Sequence, residues 1–215
     1  MKKIVVPAVI AKNQEELEGI FEKISSHADL VQLDVMDGRF VPNHSLDFDF
    51  RLPQGKYTYE AHLMVDDPDI WIATHGTRMD TIIAHFESPT TSLDTIRSIR
   101  DLGKRAALAL NPETEIEQIS EYLDDLDQVL VMTVNPGFYG SPFLPEVMTK
   151  ITKLRQIKPA LDIEVDGGIK PETIAMVDRA GANLFVSGSY LVKSDNMQER
   201  IQVLQTKIQD AGSPT

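Results

Sequence analysis

Short apolar runs alternate with longer amphipathic stretches along the whole chain, the pattern of repeated βα units around a parallel sheet. The spacing predicts strands over 4–7, 31–34, 59–64, 81–85, 105–110, 128–134, 162–166 and 183–186. Between them the 3.6-residue period predicts helices over 14–26, 68–74, 92–102, 116–123, 144–157, 171–180 and 198–209. Asn13 is placed to cap the first helix, and Gly103 to end the one over 92–102. One connection breaks the rule. Residues 44–53 (HSLDFDFRLP) alternate with a period nearer two than 3.6, and Pro53-Gln54-Gly55 then turns the chain, so the helix after strand two is expected to be reduced or absent.

Eight strands in alternation at this length favour a closed (β/α)8 TIM barrel of the α/β class, as one domain over 1–215, rather than an open doubly wound sheet. The polar residues favour it too. Asp34, His62, His85, Asn111, Asn135, Asp166 and Ser187 each close a predicted strand, and a barrel gathers such residues around one mouth, where barrel active sites are built.

The stretch 33–43 (LDVMDGRFVPN) concentrates the chemistry. Asp37 precedes a glycine, as in ordinary turns. Asp34 lies between Leu33 and Val35 inside the strand, where a charge is costly unless paired or bound to a metal. With Asp166 expected across the mouth, two carboxylates can take a proton from one face of a sugar and return one to the other, inverting a carbon beside a carbonyl. A divalent ion on Asp34, His62 and Asp166 would stabilise the resulting enediolate. His85 is open between substrate contact and core polar residue. Met36, Met64 and Met132 pack the site wall, where flexible thioethers fill irregular space. His27, His44 and His75 are assigned no role.

Two glycine-bearing exits, Asp166-Gly167-Gly168 and Ser187-Gly188-Ser189, follow strands seven and eight, where barrels hold phosphate. Backbone N–H groups at Gly168, Gly188 and Ser189 can approach phosphate oxygens closely, and Gly137 and Gly140 can form a third wall.

Charge narrows the partners. Lys and Arg total 21 against 33 Asp and Glu, a net charge of −12 with no basic run, which disfavours nucleic acid and anionic membranes. No stretch reaches the length of a membrane span. Lys2-Lys3 before an apolar run imitates a signal peptide but is too short for one. The absence of cysteine excludes thiolate chemistry and suits a reducing cytoplasm.

With these residues in place, the chain resembles the ribulose-phosphate 3-epimerase family over essentially its full length. The matching segments are LDVMDGRFVPN at 33–43, AHLMV at 61–65, LNPET at 110–114, VMTVNPGF at 131–138, IEVDGG at 163–168 and GAN-x-FVSGS at 181–189. The resemblance implies a phosphorylated ketose substrate, inversion at C3 as between ribulose 5-phosphate and xylulose 5-phosphate, and acid/base catalysis by Asp34 and Asp166. It also implies ligation of zinc, iron, manganese or cobalt by those two and His62, and a homo-oligomer is expected. The chain departs from the family in four places. Gln32 stands where the family has a metal-binding histidine, and Ala8 where it has a serine. Gly137-Phe138-Tyr139-Gly140-Ser141 replaces a Gly-Phe-Gly-Gly-Gln loop, and the segment between strands two and three is short. Gln32 offers a weaker oxygen ligand than imidazole. The alternative reading is therefore a sugar-phosphate-binding paralogue without turnover. A related decarboxylating or condensing barrel is disfavoured, because no Asp-x-Lys-x-x-Asp run surrounds Asp34.

Overall fold

The computed structural model describes residues 1–24, 27–137 and 140–211. Eight parallel strands form the wall of a closed barrel: β1 (Ile4–Val9), β2 (Leu30–Asp37), β4 (Thr58–Met64), β5 (Thr81–His85), β6 (Arg105–Leu110), β7 (Gln128–Met132), β8 (Asp162–Asp166) and β9 (Leu184–Ser187). The short β3 (His44–Ser45) runs antiparallel on the end of β2. Closure comes from β1, which pairs with β9 through Ile4 and Leu184 and with β2 through Ala8 and Gln32.

Alternation along each strand sorts the side chains between the two faces of the wall. Leu33, Val35, Leu63, Ile82, Leu108, Val131 and Val165 face outward into the main core beneath the helices. Ile83, Ala107, Ala109, Leu130 and Met132 fill part of the interior. Each such side chain removed from water contributes about 1.5–3 kcal/mol for the larger residues.

Around the barrel lie α1 (Gln14–Ile24), α2 (Pro68–His75), α3 (Leu93–Asp101), α4 (Met148–Ile157), α5 (Ile174–Ala180), the four-residue α6 (Ser189–Val192) and α7 (Met197–Ala211). In α1 the i, i+4, i+7 residues Leu17, Phe21 and Ile24 are buried. Asn13 caps it as expected, its Oδ1 accepting from the Glu16 N–H at 2.9 Å. Ser92 and Thr95 cap each other's backbone at the start of α3. Gly103, at φ +72°, ends that helix, its N–H donating to the Arg100 carbonyl while Lys104 donates to that of Ile99.

The expected helix over 116–123 is instead a 3-10 turn at Ile116–Ile119. Ile116, Ile119 and Tyr122 are all buried, and apolar residues recurring every third position keep one face inward when wound at three per turn. Residues 145–147 likewise form a 3-10 turn leading into α4, and the helix expected from 171 starts at Ile174. The strand expected to reach Val134 ends at Met132, with the Thr133 N–H making the last bond of the ladder to the Asp166 carbonyl.

No helix occurs between β2 and β4 among the described residues. The period-two pattern there appears as alternating burial: Leu46 and Phe50 are buried while Asp47 and Asp49 are not. The segment is pinned to the β1 exit, with Leu46 N–H donating to the Ala11 carbonyl and Ser45 Oγ accepting from the Ala11 N–H. Positions 138 and 139, part of the glycine loop read from the sequence, lie outside the described residues, as do 25 and 26 at the expected end of the first helix. No helix among the described residues is long and apolar enough to cross a membrane.

Candidate active site

Asp34 and His62 are register partners on β2 and β4, and Asp166 pairs with Met132 at the end of β8. Asp34 and Asp166 line the cavity at the C-terminal end of the barrel, and His62 lies fully buried beside them. Gln32, two residues before Asp34, shares its inward face and is fully buried.

Four side-chain atoms meet at one point. His62 Nδ1 lies 3.2 Å from Asp34 Oδ1 and 3.4 Å from Asp166 Oδ2. Gln32 Nε2 donates to Asp34 Oδ1 at 2.8 Å and to Asp166 Oδ2 at 3.1 Å, and stands 3.4 Å from His62 Nδ1. Ligands around a tetrahedral ion of the zinc type, each about 2.0–2.1 Å from it, are spaced about 3.3 Å apart. The His62 distances to both carboxylates match that spacing, and the three ligand atoms all lie within 4.8 Å of one another. Gln32 supplies the fourth corner with an amide nitrogen, which cannot be a ligand there, while its Oε1 is buried with no hydrogen-bond donor among the described residues. That oxygen is the atom the residue could offer a cation, since amide orientation rests on the surrounding hydrogen bonds.

The electrostatics agree with a site built for positive charge. Burial pushes the His62 imidazole down, yet Asp166 and Asp34 overcome it and hold its pKa up at about 9. Burial and the neighbouring Asp166 raise Asp34 above the usual carboxylate range, against the opposing effects of His62 and Gln32. Burial, with His62 close by, lowers His85 to about 4 in spite of Glu87.

A cavity opens above this point. Asp34, Asp166, Met36, Met64 and Met132 line it, as do Gly137, Gly140, Gly167, Gly168, Gly188 and Ser189. The residues read from the sequence as carboxylates, methionine wall and phosphate loops are thus brought together. Gly167 is required: at φ +115° any Cβ would lie 2.4 Å from Val134. Gly137, at φ +107° and packed on Val41, is tied to the β2 exit by Asn43 Nδ2 donating to its carbonyl at 3.0 Å.

Other residues fall elsewhere. His85 does not line the cavity but stands behind His62, their Nε2 atoms 2.9 Å apart. Asp37 organises the turn: it accepts from the backbone of Arg39, Phe40 and Asp66, and these bonds hold its pKa below the usual range although burial opposes them. Lys170 and Tyr190 line the cavity, and the sequence reading missed both. Lys170 follows the Asp-Gly-Gly exit by two residues, a cation beside a candidate phosphate loop. Glu87 behind His85 was missed as well. The signal available was its position two residues after a strand-end histidine.

A family model described as the Ribulose-phosphate 3 epimerase family matches residues 4–192. The chain is 33% identical to ribulose-phosphate 3-epimerase of Eremothecium gossypii, over 98% of this chain and 95% of that protein. It is 38% identical to that of a Synechocystis species, over 92% and 91%. Among solved structures, 3-keto-L-gulonate-6-phosphate decarboxylase from Vibrio cholerae superposes with a TM-score of 0.71 at 12% identity, covering 99% of this chain and 100% of that one. The 3-hexulose-6-phosphate synthase from Salmonella typhimurium gives 0.64 at 11%, covering 98% and 100%. At such identities the structural neighbours speak for the fold alone.

Proposed function

The chain belongs to the ribulose-phosphate 3-epimerase family, and from that premise we propose that it inverts C3 of a ketose phosphate, interconverting ribulose 5-phosphate and xylulose 5-phosphate. The observation that carries the reading is the placement of two carboxylates, Asp34 on β2 and Asp166 on β8, separated by β1 and β9 and lining one glycine-rich cavity.

The phosphate would lie on the backbone N–H groups of Gly168, Gly188 and Ser189, with Gly137, Gly140 and Gly167 closing around it and Lys170 adding positive charge. That anchor directs the C2 carbonyl and C3 towards Asp34 and Asp166. One carboxylate removes the C3 proton, the electron pair moves to the C2 oxygen, and the other carboxylic acid delivers a proton to the opposite face of C3. Each turnover exchanges the roles of the two groups, so the reverse reaction starts from the state the forward reaction leaves. Met36, Met64 and Met132 exclude water and give the enediolate an apolar, adaptable wall.

A divalent ion held by Asp34, His62 and Asp166 would supply positive charge to the enediolate oxygens. Zinc, iron, manganese and cobalt are all compatible with this donor set. The absence of cysteine and the acidic composition suit work in a reducing cytoplasm.

A second reading, a sugar-phosphate binder without turnover, is favoured by one observation: the Gln32 amide nitrogen satisfies both carboxylates at the centre of the site. Incubation with ribulose 5-phosphate in deuterated water separates the two. An epimerase incorporates deuterium at C3 as xylulose 5-phosphate forms. Calorimetric binding of ribulose 5-phosphate with neither exchange nor conversion, in protein supplied with each of the four metals, would establish the binder.

A further inference from the structure

Behind the site runs a chain of hydrogen bonds that neither the proposed proton transfers nor the phosphate cradle uses. His62 Nε2 is 2.9 Å from His85 Nε2, and His85 Nδ1 is 3.1 Å from Glu87 Oε2. The other oxygen of Glu87 accepts from the backbone N–H of Asn111 at 2.8 Å and from the Thr114 hydroxyl. Both histidines are fully buried, and Phe40 packs on the His85 ring at 4.8 Å between centroids.

The direction of these bonds can be worked out from the fixed end. The Asn111 N–H is backbone and can only donate, so Glu87 Oε1 is an acceptor. Glu87 as a carboxylate has only acceptors, so His85 Nδ1 must carry the proton between them. A neutral His85 then has a bare Nε2, and at 2.9 Å that atom needs a donor. His62 Nε2 must carry that hydrogen. What remains is His62 Nδ1, the atom that faces Asp34 and Asp166. With Nε2 committed to His85, Nδ1 meets the two carboxylates either through a proton or, when a cation is bound, through the cation in the proton's place.

We propose that Glu87 is a positioning residue: acting through His85, it fixes the hydrogen of His62 on Nε2 and so presents Nδ1 to a cation at the Asp34–Asp166 point. The inference rests on reading that point as a cation site. It goes beyond that reading by assigning the residue that sets the polarity of the ligand, at the far end of the His62–His85–Glu87 chain from the ion. Partners of this kind orient metal-binding histidines and raise their basicity, and their loss typically weakens metal affinity by about 10- to 100-fold.

Glu87→Gln tests the polarity with almost no change of shape. The Asn111 N–H forces the new amide oxygen towards itself, so the amide nitrogen faces His85 Nδ1 as a donor. His85 must then carry its hydrogen on Nε2, and His62 on Nδ1, where it blocks the ligand position.

Nitrogen NMR of metal-free protein labelled with 15N in histidine reads this directly. The wild type is expected to show His85 protonated on Nδ1 alone, and Glu87→Gln to show it protonated on Nε2 alone. Zinc titration by calorimetry is expected to give a dissociation constant at least about tenfold higher in the variant. Wild-type His85 found with its hydrogen on Nε2 would overturn the proposal without any variant, which keeps the test decisive if Glu87→Gln does not fold. An unchanged His85 tautomer in the variant, with zinc affinity within about twofold of wild type, would overturn it too. Failure of wild-type protein to bind zinc, manganese or cobalt at all would remove the cation from the proposal, and with it the metal part of the proposed function.

Discussion

The interior of the barrel holds two carboxylate pairs stacked one above the other, and they behave differently. At the mouth are Asp34 and Asp166 with Gln32 and His62. One layer below, two residues earlier on β4 and β8, are Glu60 and Glu164, with Gln128 donating to Glu164 Oε2 at 2.6 Å. Each layer therefore has two acids and one glutamine on the inward face of the same wall. The lower pair is fully buried, and no His, Lys or Arg side chain among the described residues donates to it. Burial raises both Glu60 and Glu164, Glu164 well above the usual range because Glu60 lies beside it. As carboxylates they would be acceptors only, and the Glu60 oxygens find no donor. A proton on one of the two acids supplies a donor, and burial favours that neutral form. The upper pair has what the lower one lacks: His62, whose charge both carboxylates favour, and an opening to the cavity. Buried carboxylates become reactive groups through a cationic partner and a path to substrate, and without these they become hydrogen-bonded structure.

This contrast can be broken from either side. The largest expected effect is in the upper layer. Asp34→Asn and Asp166→Asn each remove a proton carrier, and kcat/KM for ribulose 5-phosphate epimerisation is expected to fall by about 10³-fold or more while circular dichroism stays native. Near wild-type turnover in either variant would exclude two-carboxylate catalysis.

Next in size is the access that only the upper layer has. Leucine at Gly188 fills the cavity wall where backbone must approach the anion. Gly188→Leu is expected to weaken ribulose 5-phosphate binding by about tenfold or more, a loss of roughly 1.4 kcal/mol read by calorimetry. Unchanged affinity would move the phosphate elsewhere.

The third effect concerns the partner. Gln32→His replaces an amide by a better ligand for zinc-type ions, and zinc affinity is expected to rise by about tenfold, with any epimerase rate rising too. No gain in either would mean that the amide is part of a rebuilt site, and the binder reading would lead.

The smallest effects belong to the lower layer. Replacing both acids, Glu60→Gln with Glu164→Gln, keeps the shape and removes the ionisable pair. The sign follows from the raised values: carboxyls with folded pKa above the unfolded one stabilise fully below about pH 4.5 and lose that contribution as pH rises through the folded value. The double variant is therefore expected to lose this downward slope and to melt a few degrees higher than wild type at about pH 8, with turnover retained. A scanning calorimetry series from about pH 5 to 9 checks both. A variant that melts lower than wild type even at about pH 8 would show that ionisation of the lower pair does not destabilise the fold.

Much of this was open to reading from local sequence, because the cues were local. Asp34 inside an apolar run, glycines after the last two strands and the period-two stretch over 44–52 each carry their meaning within a few residues. The helix over 116–123 did not form because a threefold apolar spacing satisfied the core with a 3-10 turn, a choice that helix periodicity alone does not distinguish. His85 could be placed at a strand end but not assigned to cavity or interior.

What the sequence determined by itself is which residues end each strand and face inward, since a period of two and the order of strands and helices settle that without knowledge of the rest of the chain. What only the tertiary structure decided is who meets whom across the barrel. Gln32 at the centre of the two aspartates, His62 back to back with His85, and Glu87 held by Asn111 and Thr114 all depend on how β1 and β2 pair to close the sheet and on the register between neighbouring strands. Closure is a contact between distant parts of the chain. The local pattern fixes which face each side chain takes, but not which side chain of a neighbouring or distant strand stands opposite it.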